Sequence, residues 1–452
     1  MFNQIITYKK LLKQELNSKY NINLFNLAEV CGLKYNKLMR RRIFHLKSKL
    51  IRRPLRQIIL FTIPASILLY LLSIGFALEG SQQFSELANA FLHGHLNFLS
   101  AIGGQGQDPI LYHGKVFWGE GPFPAILLMP FVAALKIFHL FFYQGYIKWL
   151  LLLGTLFFIY KIARILFYNL EDSLLLAAGF ILGSVYIGVA SVSSGWLFAQ
   201  VVVVFLLFWS LYEYFTKKRW WLIGLICGFI FMTRATASPI IIFYLIELWQ
   251  TTNLKTKIIK LKQVIVMLFP FALCLILIGL YNFGRFHSFF NGGYMYQLLF
   301  TDSAISRSYG VFSLVHIPTN FFAAFLSAPL TVAKNSSSWT LVFPYIKSNP
   351  YGISMFITSP YLLYLFNANW KSYSKQAKNL IITIIVSCIW VLSFYGIGKD
   401  QLGYRYSLDF LPEIFVLFML IYRKKHNYLS NGMRFLLIGS GIFNFYLLFT
   451  FI

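Results

Sequence analysis

Long apolar stretches alternate with short polar ones along most of this chain. From residue 57 onwards the apolar runs recur, and several reach the roughly 18 residues that a transmembrane helix needs. The runs are continuously apolar and do not alternate with polar residues, as the strands of a membrane β-barrel would. Because a backbone inside a bilayer must satisfy its own hydrogen bonds, the pattern predicts an all-α polytopic membrane protein.

We predict about eleven transmembrane helices within a membrane domain that spans residues 57–452. Two of the predicted spans are short and meet at Arg234, as in a helical hairpin that turns near the outer edge of the membrane. Gly179 and Gly183 lie one helical turn apart and predict close helix packing. The predicted spans are approximately 57–78, 146–166, 172–194, 196–215, 220–233, 236–250, 263–283, 351–367, 379–397, 406–422 and 434–451.

Two long connections, residues 79–145 and 285–350, are predicted to lie outside the cell, together with a short one near residues 398–405. In the first, apolar residues between positions 81 and 94 recur at helical spacing, and Gly94 is placed to end that helix. Residues 123–138 are apolar but contain two prolines and a lysine, and a full crossing there would invert every later loop. We therefore predict two interfacial helices on the outer face.

The composition and the positions of the charges support this membrane assignment. A chain of 452 residues with 58% hydrophobic and 12% charged residues cannot be a soluble protein with one core. Of its 40 Lys and Arg residues, 14 lie in residues 1–56, which we predict to be a basic cytosolic segment. With a cytoplasmic N-terminus, 30 of the 40 fall on the inner side, as the positive-inside rule requires.

The formal net charge of +26 would also suit a nucleic-acid-binding protein. However, no aromatic and basic module of that kind accompanies the basic clusters, which occupy short loops between apolar runs. Attraction to anionic lipid headgroups explains the same excess of charge. We therefore predict membrane lipids, and no nucleic acid, as partners.

Five motifs occur in order along roughly residues 57–412. Their order resembles the GT-C membrane glycosyltransferases, the lipid-phosphosugar-dependent class that includes protein O-mannosyltransferases, aminoarabinose transferases and oligosaccharyltransferase subunits. Each motif alone is weakly specific, whereas five in the same order are more so. The motifs are FSELANAFLHGHL, DPILYHGKVFWGEGPFPAILLMPF, GFIFMTRATASP, YNFGRFHSFFNGGYMYQL and QLGYRYSLDFLP.

The resemblance implies transfer of a sugar from a polyprenyl phosphate to an acceptor hydroxyl at the outer face, with inversion of the anomeric carbon. It also implies a catalytic carboxylate just after the first transmembrane helix. That position falls on Glu79, where the family more often has Asp, and Glu86 is the nearest alternative. Cations in the outer loops would hold the lipid phosphate. The matching cations here are Lys115, Arg234, Arg285 and Arg405.

Other polar residues of the first outer loop are candidates for contact with the substrate: Asp108, Glu120 and His113. Histidines 93, 95 and 113 with Asp108 are of the residue types that bind Zn²⁺ or Mn²⁺. However, members of the resembled family that bind a metal usually have a further acidic motif at the outer end of the third span. Here that place reads SVSSGWLFAQ and contains no acid. A divalent metal is therefore a disfavoured alternative, and we predict no cofactor.

The main alternative to an enzyme is a non-enzymatic lipid or solute transporter or flippase, which would place charges and broken helices near the membrane midplane. An assembly protein that retains the fold without activity is a third possibility. Most of the non-cytoplasmic acids fall in the outer loops, which favours a reaction at the membrane surface. The predicted partners are then a polyprenyl-phosphate-linked sugar and a glycan, lipid or protein acceptor.

The predicted location follows from the same topology. The protein is expected to be a multi-pass protein of a bacterial-type cytoplasmic membrane. Its N-terminus would lie in the cytoplasm, and its active face would lie outside the cell.

Overall fold

The computed structural model of the chain describes residues 81–100, 108–250, 254–335, 340–367 and 373–450. The predicted cytosolic segment 1–56, the first predicted span 57–78 and Glu79 therefore lie outside the described residues. The described part is mostly helical. Its α-helices are α1 (Gln83–Leu92), α2 (Phe123–Lys136), α3 (Gly145–Ile165), α4 (Leu170–Leu182), α5 (Tyr186–Ser191), α6 (Gly195–Phe215), α7 (Trp220–Phe231), α8 (Ile240–Trp249), α9 (Leu254–Phe286), α10 (Thr301–Ser308), α11 (Ile317–Phe321), α12 (Met355–Thr358), α13 (Lys375–Leu392), α14 (Leu411–Lys425) and α15 (Asn431–Phe449).

Within the described ranges, five helices are long and apolar enough to cross a membrane. Helix α6 is the most deeply buried of the five, with 78% of its apolar window inside the protein. Helix α9 shows the opposite behaviour, with 22% of its window buried and a row of large apolar side chains exposed. The candidate spans are Gly145–Ile165, Gly195–Phe215, Ile258–Phe286, Lys375–Leu392 and Asn431–Phe449.

Two of the predicted spans are not continuous α-helices. The stretch predicted as 172–194 is divided into α4 and α5 by a break after Leu182. The stretch predicted as 351–367 consists of the short helix α12 and a 3₁₀ segment, Pro360–Asn367. Proline disfavours the helical conformation in the residue before it, and Ser359 accordingly has ψ of 62°. The length of the apolar runs predicted these two segments but not the points at which their helices are interrupted.

The all-α prediction is wrong in two places, because each long outer connection contains a β-hairpin. Strands β1 (Ile110–Tyr112) and β2 (Lys115–Phe117) pair antiparallel. Their two-residue turn has φ of 48° at His113 and 73° at Gly114, as a type I′ turn requires. Strands β3 (Leu330–Ala333) and β4 (Leu341–Lys347) form the second antiparallel hairpin.

Glycines let two pairs of helices approach closely. A Cβ atom added at Gly179 would lie 2.6 Å from the Leu437 side chain, and one at Gly183 would lie 3.1 Å from that of Ser440. The close packing predicted for Gly179 and Gly183 is therefore confirmed, and the partner is α15. Helices α7 and α9 approach more closely still, because a Cβ at Gly224 would lie 1.8 Å from the Met267 carbonyl oxygen.

The two predicted helices of the first outer connection form as α1 and α2, and they pack on each other. Gly94 adopts φ of 74° just after α1 ends, as predicted. Helix α1 is buried on more than one side. Phe84 packs edge-on against Trp118 and at a tilt against Phe198 of α6. This packing anchors the outer connection directly to the central helix of the core.

A buried ion pair lies at the start of α4. Asp172, at the start of α4, is fully buried and accepts a hydrogen bond of 2.7 Å from Arg434 of α15. The same guanidinium donates to Glu171 at 2.9 Å, and Asp172 also accepts from the Leu429 backbone N–H. This ion pair ties α4 to α15 at the end that the sequence predicts to be cytoplasmic.

Candidate functional site

A buried cluster of three charged side chains lies where the outer connection meets the helices. Arg234 donates from Nη1 to Glu120 Oε1 at 2.6 Å, from Nε to Asp409 Oδ1 at 2.9 Å and from Nη2 to Asp409 Oδ2 at 3.1 Å. The exposed fractions of the side chains are 8% for Arg234, 3% for Glu120 and 0% for Asp409. We call these three residues the ion cluster. Its partners come from three distant parts of the sequence.

Glu120 reaches the cluster because a glycine follows it. A Cβ atom at Gly121 would lie 1.9 Å from the Met232 carbonyl oxygen, so only glycine fits this contact. The same carbonyl accepts a hydrogen bond of 3.2 Å from the Phe123 N–H at the start of α2. The outer connection is thus fastened to the end of α7, directly before Arg234.

Asp409 reaches the cluster from the 3₁₀ turn Arg405–Asp409, which precedes α14. Its carboxylate also accepts a hydrogen bond from the Thr236 hydroxyl, on the turn that joins α7 to α8. Asp409 therefore contacts both Arg234 and Thr236 in the connection between α7 and α8. The hairpin turn predicted at Arg234 agrees with the break between these helices.

The two carboxyl groups of the ion cluster share one guanidinium, from which Glu120 accepts one hydrogen bond and Asp409 accepts two. Burial raises the pKa of Glu120 to about 8, against the attraction of Arg234 and Arg405. Asp409 already neutralises Arg234 and accepts two hydrogen bonds from it. A negative charge on Glu120 would therefore gain less from attraction to Arg234 than it would lose by removal from water. Glu120 Oε2 is buried and, in the described part of the chain, has no hydrogen-bond partner. A proton on Glu120 at neutral pH fits these surroundings.

Arg405 differs from Arg234, because its guanidinium is half-buried and has no hydrogen-bond acceptor among the described residues. Its backbone is fixed from both sides: its N–H donates to Gln401 Oε1 at 3.3 Å, and its carbonyl accepts from Gln200 of α6 at 3.2 Å. The guanidinium lies over the ring of Tyr406, 5.3 Å from the ring centroid. A fixed cation without an acceptor is suited to binding an anion.

Asp108 lies in the electrostatic field of Arg405 and of Arg307. Burial raises the pKa of the Asp108 carboxyl, and the two arginines oppose that rise. The backbone carbonyl of Asp108 accepts from Gln297 Nε2 at 2.9 Å, and Gln297 Oε1 accepts from the Tyr395 hydroxyl at 3.0 Å. Arg307 donates to the Gln297 carbonyl at 2.9 Å. The structure thus joins the first and second outer connections beside Arg405.

Arg285 is 4% exposed, and its hydrogen bonds stay within the protein. It donates to the Trp118 carbonyl at 2.8 Å and to Asn282 Oδ1 at 2.8 Å, and it lies 3.9 Å from the Tyr281 ring centroid. These contacts tie α9 to the outer connection. They favour a structural role for Arg285 over the predicted contact with a phosphate.

Lys115 and His113 lie at the exposed tip of the first hairpin. Neither makes a contact with the ion cluster in the described residues. Glu86, on α1, is half-buried, and burial raises the pKa of its carboxyl. These three predicted site residues therefore stay apart from the cluster that Arg234, Glu120 and Asp409 form.

Sequence reasoning missed Asp409, Tyr406 and Gln297 as parts of this site. Asp409 and Tyr406 stand inside the motif QLGYRYSLDFLP, in which only Arg405 was singled out. The overlooked signal was the acid itself, since a carboxylate at the edge of an apolar run needs a cation nearby. Gln297 had no such signal, because its role depends on a contact with a residue 189 positions away.

No group of three or more His, Cys, Asp or Glu side chains that could hold a metal ion occurs in the described ranges. Two of the histidines considered for such a site lie on different elements. His93 follows α1 and is hydrogen-bonded to Lys136, whereas His113 lies in the turn of the β1–β2 hairpin.

Comparison with known proteins gives fold neighbours of low sequence identity. No family model and no curated protein match the chain. ArnT from Cupriavidus metallidurans, solved with undecaprenyl phosphate, is 11% identical with a TM-score of 0.46, over 86% of this chain and 62% of that chain. The oligosaccharyltransferase of Archaeoglobus fulgidus, solved in the apo form, is 12% identical with a TM-score of 0.41, over 85% and 55%.

A further match is the Archaeoglobus fulgidus oligosaccharyltransferase AglB with an inhibitory peptide and a dolichol-phosphate, at 13% identity and a TM-score of 0.40, over 86% and 55%. The chain thus spans between 55% and 62% of the length of the solved chains it matches.

Proposed function

We propose that this chain is an integral membrane glycosyltransferase. It takes a sugar from a polyprenyl-phosphate donor and passes it to an acceptor hydroxyl at the outer face of the membrane, with inversion of the anomeric carbon. About eleven spans, with α1 and α2 at the outer interface, give the topology that this reaction needs. The sugar, hexose or pentose, and the acceptor, a glycan, lipid or protein, are left open by this proposal.

The observation that supports the proposal best is that the Arg405 guanidinium has no hydrogen-bond acceptor among the described residues. Of the three arginines considered for the phosphate, Arg234 is neutralised by Asp409 and hydrogen-bonded to Glu120, and Arg285 is buried with internal acceptors. Arg405 keeps its guanidinium free of hydrogen-bond acceptors in the described part of the chain, beside a half-buried carboxyl, Asp108. Charge-assisted hydrogen bonds from such a guanidinium to a phosphate are among the stronger ones in proteins.

The chemical step then needs a cation for the leaving group and a base for the acceptor. The acceptor oxygen forms a bond to the anomeric carbon while the bond from that carbon to the phosphate oxygen breaks. The electron pair leaves with the polyprenyl phosphate, whose negative charge Arg405 stabilises. The proton of the acceptor hydroxyl moves to a carboxylate, for which Glu79 is the first candidate and Glu86 the second.

The test uses purified protein in lipid nanodiscs, a panel of undecaprenyl-phospho-sugars and a panel of hydroxyl acceptors. Release of undecaprenyl phosphate is the readout. We expect turnover by the wild type and a KM for donor raised at least about tenfold by Arg405→Gln, because a charge-assisted hydrogen bond contributes about 1.5–3 kcal/mol. Lys399→Gln removes an exposed charge six positions earlier and should change KM less than about twofold, as isolated surface charges usually do.

A second candidate function is the lipid or solute transporter, and Glu413 is the observation that favours it. This residue of α14 is fully buried, and both of its carboxyl oxygens lack partners among the described residues. Buried acids in membrane segments frequently serve proton or ion pathways. If no donor is consumed with any acceptor, while labelled lipid or solute crosses the bilayer of reconstituted vesicles, the transporter replaces the enzyme.

A further inference from the structure

We propose that Asp409 and Tyr406 are positioning residues that hold Arg405 in place for the lipid phosphate, with Arg234 and Glu120 as their support. This inference rests on the proposed function. It assigns the ion cluster to the orientation of one cation rather than to direct contact with the substrate.

The first step is the anchoring of the turn that contains Arg405. Asp409 ends the five-residue 3₁₀ turn that begins with Arg405. Arg234 holds both carboxylate oxygens of Asp409, at 2.9 and 3.1 Å, and Thr236 donates to one of them. Two residues of the α7–α8 connection therefore hold the end of this turn, while Gln401 and Gln200 hold the backbone at its start.

The second step is the contact that reaches Arg405 itself. The guanidinium carbon of Arg234 lies 5.4 Å from the centroid of the Tyr406 ring, and that of Arg405 lies 5.3 Å from the same centroid. One aromatic ring thus contacts the paired arginine and the unpaired one. A cation over a tyrosine ring is stabilised without use of its hydrogen-bond donors. Tyr406 therefore orients the Arg405 guanidinium and leaves its N–H groups available.

The third step concerns charge. Two arginines close to one ring repel each other unless one of them is neutralised. Asp409 neutralises Arg234 inside the cluster, and Glu120, whose pKa burial raises to about 8, accepts a hydrogen bond from Arg234 without adding a second negative charge at neutral pH. The ion cluster then has no net charge, so an anion at this point meets the positive charge of Arg405, with Asp108 and Arg307 as nearby charges outside the cluster. Arg405 makes no contact with any carboxylate in the described ranges.

The experiment measures the dissociation constant for undecaprenyl phosphate, and KM and kcat for the donor, in nanodiscs. Tyr406→Leu removes the ring and should raise both the dissociation constant and KM about fivefold, with little change in kcat, since a cation–π contact contributes about 1 kcal/mol. Tyr406→Phe keeps the ring and should behave as the wild type. Asp409→Asn should raise the same two constants at least as much.

A double variant separates positioning from general damage. In the Arg405→Gln background, Tyr406→Leu should cause no further loss of affinity, because the residue it positions is already absent. Asp172→Asn is the matched control, since Asp172 is as fully buried as Asp409 and pairs with another arginine, Arg434, away from Arg405. This control should leave both constants unchanged in the protein that remains folded.

The outcomes distinguish the two proposals. If the wild type neither binds undecaprenyl phosphate nor consumes a donor, the proposed function fails. If the wild type does both but Tyr406→Leu keeps wild-type constants, the positioning inference fails while the function stands. Additive losses in the double variant, or an equal loss with Asp172→Asn, would also overturn the inference. Tyr406 is only half-buried, whereas Asp409 is fully buried. Tyr406→Leu therefore tests the inference even where Asp409→Asn does not fold.

Discussion

Arg234 and Asp409 are 175 residues apart in the sequence, and their side chains meet through two parallel hydrogen bonds of 2.9 and 3.1 Å. The pair is almost completely removed from solvent. It joins the connection between α7 and α8 to the turn before α14. Its removal should therefore affect the fold of the outer part of the protein as well as the site.

Asp409→Asn should destabilise the protein by about 3–5 kcal/mol, because it leaves Arg234 buried with incomplete charge compensation. The measurement is the free energy of unfolding in denaturant, on protein in the same detergent. Asp400→Asn is the control, since Asp400 is exposed in the same connection and should change stability by less than about 0.5 kcal/mol. Equal stabilities of the two variants would show that Arg234 does not need Asp409.

Glu120 should make the stability of the protein depend on pH in the opposite direction to an ordinary ion-paired acid. Its pKa rises from the usual 4.5 to about 8 in the folded protein, so the folded state binds the proton more tightly. The resulting stability is fully present below about pH 4.5 and is lost as the pH rises through about 8. Glu120→Gln mimics the protonated acid and should remove this loss, which melting temperatures across that pH range would reveal.

The control for this prediction is Asp302→Asn, which changes an exposed acid of α10 and should leave the pH profile as in the wild type. Parallel profiles for the wild type and Glu120→Gln would mean that Glu120 is ionised throughout. The same experiment would show Glu120→Gln to be strongly destabilising at pH 6 if the negative charge of Glu120 is what balances Arg234.

How far the sequence predicted this structure depends on the range of the interactions involved. Membrane helices such as α3, α6 and α15 begin and end within a few residues of the predicted spans, because hydropathy is a property of consecutive residues. The hairpin at residues 110–117 was missed, because its three-residue strands are too short to show alternation. Local patterns therefore predicted the long apolar helices but not the short strands.

Glu120, Arg234 and Arg405 are among the predicted site residues, whereas Asp409, Tyr406 and the contacts that join them are not. Glu120 and Arg234 were both singled out as unusual charges, yet their contact over 114 positions has no trace in a single sequence. Arg285 was grouped with Arg405 on the basis of motif alone. Only the three-dimensional contacts separate the arginine that has internal acceptors from the one that has none among the described residues.

Gly224→Ala tests the close packing of α7 on α9. Alanine normally stabilises a helix by about 1 kcal/mol relative to glycine. Here the new Cβ would lie 1.8 Å from the Met267 carbonyl oxygen, so the helices must separate. We expect a net loss of about 1–3 kcal/mol, as overpacking in a tight core usually causes. Gly439→Ala on α15 is the control, since its Cβ would meet no atom within 4 Å, and it should be neutral or stabilising.

Glu79→Gln tests which carboxylate takes the acceptor proton. A base acts in the chemical step, so its loss should lower kcat by about 10² or more and leave the dissociation constant for undecaprenyl phosphate unchanged. Glu86→Gln keeps the shape of the half-buried side chain of α1 and should reduce kcat far less. Single-turnover rates with a saturating donor measure the step directly. A large loss with Glu86→Gln and none with Glu79→Gln would move the base to α1, where burial raises the pKa of Glu86.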